Sequence, residues 1–154
     1  MPKIPPILLT LSACALVLSA CSDSAKDTHP QQLVSKRQAI FKQFTKALEP
    51  MGQVARQRKD YVKAEFVDSA QALQVLATQP WVYFTPDSNY PPTRAKPDVW
   101  SQPGEFKQAQ QSYLDAVAQL AQLAASADLP AIQSAVNTVE KSCKNCHSQF
   151  RNER

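Results

Sequence analysis

The sequence predicts an all-α protein built as an antiparallel four-helix bundle. Two observations lead there. Apolar side chains recur at alternating spacings of three and four, the helical period, in four separate stretches between residues 31 and 154. The links between those stretches are two short and one long, the pattern of antiparallel neighbours with a single longer crossing. No segment reads as a strand.

The first helix runs from about Gln31 to Met51, with Val34, Arg37, Phe41, Phe44, Leu48 and Met51 along one face and Gly52 as its stop. Arg37 is the one charge in that stripe. The second, roughly Asp60 to Gln79, carries Val62, Phe66, Ala70, Leu73 and Ala77; Asp60 or a neighbour caps it and Pro80 ends it. The third, roughly Pro103 to Ala127, repeats Phe106, Ala109, Tyr113, Ala116, Leu120 and Leu123, with Ser101 placed to cap it. The fourth starts behind Asp128, another capping residue, and its stripe is Leu129, Ile132, Val136, Val139, Cys143, Cys146 and Phe150. Between the second and third lies Pro80 to Pro103, which holds six of the twelve prolines together with Trp81, Tyr83, Phe84, Tyr90 and Trp100. So long a non-helical connection is either functional or disordered. Its aromatic area, too large to leave in water, predicts order.

The chemistry lies near the end of the fourth helix. Cys143-Lys144-Asn145-Cys146-His147 is the Cys-x-x-Cys-His pattern in which two thiols bond the vinyl groups of a haem and the histidine ligates its iron. On a helix these three side chains project from one side and can hold one porphyrin at three points. Both thiols sit in the apolar stripe, so the haem faces the core, a common place for a cofactor in a bundle. Two other uses compete. A disulfide or redox Cys-x-x-Cys normally accompanies a βαβ pattern, which this chain does not show. A structural zinc needs about four ligands, and beyond the cluster there are only Cys14, Cys21 and His29, all near the N-terminus.

The N-terminus reads as a targeting segment. Lys3 gives a short positive region, Ile7 to Val17 an apolar stretch too short for a membrane span, and Leu18-Ser19-Ala20-Cys21 a small-residue processing site. These residues resemble a bacterial lipoprotein signal, in which the cysteine of the site becomes the lipidated first residue of the mature chain, here Cys21. Leu11-Ser12-Ala13-Cys14 fits the same pattern, but cutting there would leave an apolar region broken by Pro5 and Pro6 and only about half the usual length. An ordinary cleaved secretory signal is the alternative. Either way the chain is exported, in keeping with the assembly of c-type haem outside the cytoplasm. Residues 1–20 are then the signal, 21–30 the lipid anchor and polar tether, and 31–154 the bundle. Lipoproteins kept in the inner membrane resemble those with Asp directly after the cysteine; here Ser22 intervenes before Asp23, which favours the outer membrane. The protein is expected on the periplasmic side of the envelope, meeting the membrane through lipid alone, with the soluble periplasm as the alternative.

About 133 residues follow Cys21, enough for one domain with one core. Without Lys3 there are 16 basic and 13 acidic side chains, a net +3, which two haem propionates would bring near +1. No nucleic-acid partner is implied.

Together these features resemble the cytochrome c′ family over about Gln31 to Arg151. The resemblance is carried by Arg37-Gln38-Ala39, Pro80-Trp81 with Phe84, Pro97-Asp98-Val99-Trp100-Ser101, Phe106-Lys107-Gln108, and the haem pentapeptide followed by Phe150-Arg151. It implies a four-helix bundle with a covalent haem c near the end of the fourth helix, and a dimer formed through the first two helices. The lipoprotein signal departs from the pattern, since many members resemble free periplasmic proteins.

Function then depends on what sits opposite His147, because a second strong ligand makes an electron shuttle whereas an open sixth position can bind a small gas. The resemblance places over the iron the residue four beyond the first-helix arginine, which is Phe41. Methionine is the usual second ligand in electron-carrying relatives; Met1 leaves with the signal, and Met51 lies ten residues along the same helix, about 15 Å away. His29 falls in or beside the tether. The expectation is a five-coordinate, high-spin iron that binds NO and CO under an apolar roof. Phe41 would exclude water and anions and, with no hydrogen-bond donor nearby, would do little for bound dioxygen. A guanidinium in a core register needs a partner, and for Arg37 the available anion is a haem propionate. Arg151 stands four after His147 and, by resemblance, beside the proximal imidazole, where it influences the iron. No second redox or catalytic group accompanies the motif, so no enzyme is expected and no residue is read as catalytic. The competing function is one-electron transfer with a periplasmic redox partner.

Overall fold

The structure, a computed structural model, describes residues 25–126 and 128–153. The signal segment with Met1, Cys14 and Cys21 lies outside them. The helical periods of the sequence appear as α1 (Leu33–Ala55), α2 (Lys63–Ala77), α3 (Asp98–Ser101, one turn), α4 (Pro103–Ser126) and α5 (Leu129–Phe150). α1 packs on α2 and α5, and α4 packs on the same two, so the four long helices close into an all-α four-helix bundle around one core. Leu120, Ile132, Val136 and Val139 are completely buried in it and Leu73 nearly so, each contributing about 1.5–3 kcal/mol relative to exposure. Among the described residues no helix is long and apolar enough to cross a membrane.

Three helix ends differ from the sequence reading. α1 runs through Gly52 to Ala55, because Gly52 serves close packing rather than termination: a Cβ there would meet Arg56 and Glu140 at 2.7–2.8 Å. The stop is Gln57, in the left-handed region at φ 56°. Its N–H donates to the Val54 carbonyl and that of Arg58 to the Gln53 carbonyl, the bond pair that closes a helix C-terminus. α2 begins at Lys63 behind an extended Val62, so Asp60 does not cap it. Ser101 does not cap α4, since it closes the single turn α3. Asp128 does cap α5, accepting from the Ala131 N–H at 3.0 Å.

The proline-rich connection is ordered, as its aromatics predict. It forms short 3₁₀ turns at Pro80–Tyr83 and Pro86–Ser88 before α3. Both indoles are satisfied: Trp81 Nε1 donates to the Ala77 carbonyl at 2.7 Å and Trp100 Nε1 to that of Thr85 at 2.8 Å. Farther on, the Lys96 N–H donates to the Phe150 carbonyl and the Asn152 N–H to that of Arg94. The connection therefore folds over the end of the bundle that carries the haem motif. The segment read as tether is held from Asp27 onward: its buried carboxylate accepts from the N–H groups of His29 and Ser35 and ties the chain to the start of α1.

Candidate functional site

Cys143 and Cys146 are free, half-buried thiols on α5. Cys143 packs against the apolar core. Cys146 also borders an open, mainly polar groove between α4 and α5 that includes Glu105, Gln108, Lys141 and Asn145. Burial, with Cys146 and Glu140 nearby, pushes the Cys143 thiol up to about 11, and burial raises Cys146 as well although Arg151 opposes it. Both are held as thiols. His147 is exposed in the last turn of α5. Partial desolvation of its ring against the helix end, with the charges of Arg151 and Arg94, lowers its pKa and favours the neutral imidazole, the form that ligates a metal. Arg151 donates its backbone N–H to the His147 carbonyl at 3.0 Å. Its guanidinium Nη1 lies 3.5 Å from His147 Nε2.

Phe41 faces this end of the bundle from α1. Its ring lies 5.2 Å from Phe44, 6.0 Å from Trp81 and 6.3 Å from Phe84. Phe84 continues to Phe106 at 5.1 Å and Phe106 to Phe150 at 5.2 Å, so a row of rings joins Phe41 to the last turn of α5. Met51 is in the core near Val54 and Phe66, away from this row. His29 stacks on Tyr90 at 4.2 Å, and its Nδ1 faces the Gln31 N–H.

Arg37 is buried as predicted, but neutral oxygens surround it. Nη1 donates to the Tyr83 carbonyl at 2.8 Å and to Ser88 Oγ at 2.9 Å; Nη2 donates to the Ser88 carbonyl at 3.1 Å and to Thr93 Oγ1 at 2.7 Å. The Phe84 ring lies 4.5 Å below the guanidinium carbon. All four N–H groups of the two terminal nitrogens are thereby used on the connection, and only Nε–H is left to face a propionate. Sequence reasoning missed Ser88 and Thr93. They lie more than fifty residues from Arg37 in a segment without periodicity, where no signal pairs them with it.

The residues fit a haem. Two thiols and a neutral imidazole stand on one helix side, with half-buried Phe41, Trp81, Phe84 and Phe106 facing the same end of the bundle. Tyr113 adds an independent sign: its hydroxyl is buried beside Cys143 without a partner among the described residues, which costs about 1–3 kcal/mol unless a bound group answers it. The sequence profile described as Cytochrome C′ matches residues 32–151. Cytochrome c′ of Alcaligenes xylosoxydans xylosoxydans is 30% identical over 122 residues, 79% of this chain and 94% of that one. The fold is similar to the nitric oxide complex of a variant of cytochrome c prime from Alcaligenes xylosoxidans, with TM-score 0.77 and 28% identity over 84% of this chain and all of that one. It is similar also to a carbon monoxide-bound variant of the same protein, with TM-score 0.76 and 28% identity over 83% of this chain and all of that one. The chain belongs to the cytochrome c′ family and carries a covalently attached c-type haem.

Proposed function

We propose that this is an exported haem protein that binds small neutral gases, NO and CO, at a five-coordinate, high-spin iron. Cys143 and Cys146 would hold the porphyrin and His147 would ligate its iron. The bound haem supplies an iron able to take a diatomic ligand. The chain decides which ligands arrive. Phe41 carries the reading: it offers only carbon to the face opposite His147, and Phe44, Trp81 and Phe84 back it with further apolar surface. Water and anions gain nothing there, whereas small neutral molecules lose little on entering. Neither Met51 nor His29 stands near that face to act as a second strong ligand. Arg151 places its charge beside the His147 ring, and Arg37 fixes the connection that walls the pocket. The NO and CO complexes of the similar Alcaligenes xylosoxidans protein support the same use here.

No reaction is assigned to the protein. We place it on the periplasmic side of the envelope, anchored through Cys21, and pair it through α1 and α2, where Val75 is 68% exposed. Labelled palmitate should mark the protein, and Cys21→Ser should remove the label while Cys14→Ser keeps it. The function itself is tested by titrating the reduced protein with CO and NO. Saturable, stoichiometric spectral changes are expected, and a spectrum indifferent to both gases would favour one-electron transfer instead.

A further inference from the structure

One buried polar group stands beside the rings that back Phe41. Tyr113, on α4, is 5% exposed, and its hydroxyl is one of two buried side-chain polar atoms without a partner among the described residues. The ring stacks on Phe44 at 5.4 Å and meets Trp81 edge-on at 6.2 Å. Both of those rings touch Phe41, and Cys143 neighbours the hydroxyl from α5. The phenol therefore lies between the rings that back the roof of the iron and a thiol that holds the porphyrin. A phenylalanine would fill the ring position equally well, so the hydroxyl is what needs a role.

We propose that the Tyr113 hydroxyl donates a hydrogen bond to the outer atom of the gas bound under Phe41, making Tyr113 a specificity-determining residue. The proposal rests on the open-face reading above and changes its consequence: an otherwise carbon-lined pocket gains one donor, which favours ligands that carry negative charge on the outer atom once bound. Burial pushes the phenol's pKa far above its ordinary value, so the group stays a donor throughout the working pH range.

The test is the infrared spectrum of the reduced holoprotein with CO. In the wild type the CO stretch should lie lower than in Tyr113→Phe and should shift in heavy water, a shift the variant loses. CO release from the variant should be about two- to twelvefold faster, the range spanned by one ordinary hydrogen bond. Unfolding of the variant should be no easier than that of the wild type, because no bond within the protein is lost. Equal stretching frequencies and release rates would overturn the proposal and leave the open face standing. Reduced protein that binds no CO would overturn both.

Discussion

Arg37→Met tests the clamp that walls the pocket. The variant keeps the apolar stem and removes the fork that donates to Tyr83, Ser88 and Thr93. Four bonds from a charged donor, at roughly 1.5–3 kcal/mol each, would sum to as much as the whole stability of a domain. Such a sum is too large, because the connection can loosen and let water reach Tyr83 and Thr93. The two Ser88 acceptors are different because Ser88 is completely buried: its carbonyl is left unpaired at about 1–3 kcal/mol, and its Oγ, which still donates to the Thr85 carbonyl at 2.7 Å, loses a charged donor. The expected loss is about 3–5 kcal/mol once the partly solvated acceptors are added. At a slope near 2 kcal/mol per molar urea, the midpoint of holoprotein unfolding should fall by about 2 M. Protease should cut between residues 83 and 93 before it cuts the helices. Arg37→Lys should recover less than half of the loss, since an ammonium cannot span acceptors on both sides. A loss under about 1 kcal/mol with an uncut connection, or full recovery by lysine, would refute the reasoning and return Arg37 to a propionate.

Cys143→Ala and Cys146→Ala should each leave haem on one thioether or none, and both variants should unfold more easily because a bound group that stabilises the native state is lost. Unchanged covalent haem by the pyridine haemochrome spectrum in both would displace the pentapeptide from its role. Asp27 gives the pH dependence. Burial raises its pKa, but bonds from the Ser35 and His29 backbones outweigh this and leave it below the ordinary 3.8. Its folded pKa is thus depressed, so its contribution is complete above that value and disappears as pH falls through the lower folded one. Asp27→Asn should lower stability at neutral pH, where the ionised carboxylate contributes and where the amide oxygen can accept only one of the two N–H bonds, and should flatten the acid limb below about pH 4; an unchanged pH profile would deny that Asp27 ties the chain to α1.

Much of this was legible in the residues. The stripes of α1, α4 and α5 are the buried faces observed, and the pentapeptide stands at the end of α5 where its spacing placed it. What escaped was set by contacts distant in sequence. Gly52 looks like a stop until Glu140 of α5 is seen against it. Asp27 and His29 look like tether until Ser35 and Tyr90 receive them. Arg37 was read correctly as buried and needing partners, but a propionate was the only partner the sequence offered. Tyr113 fell on the core face of its helix, and nothing in its spacing shows that the hydroxyl lacks an acceptor. Periodicity reports which face is buried; it does not report what each polar atom meets there.

Gas binding at this iron requires an open coordination position under Phe41, which electron paramagnetic resonance of the ferric holoprotein reads out. The wild type should give a high-spin signal. Phe41→Met, which offers a thioether from a flexible side chain with little volume change, should move it toward low spin and slow CO binding, because the sulfur must leave first. A wild type that is already low spin, or a Phe41→Met protein indistinguishable from it in spin state and CO binding, would remove Phe41 from the distal position and contradict the account.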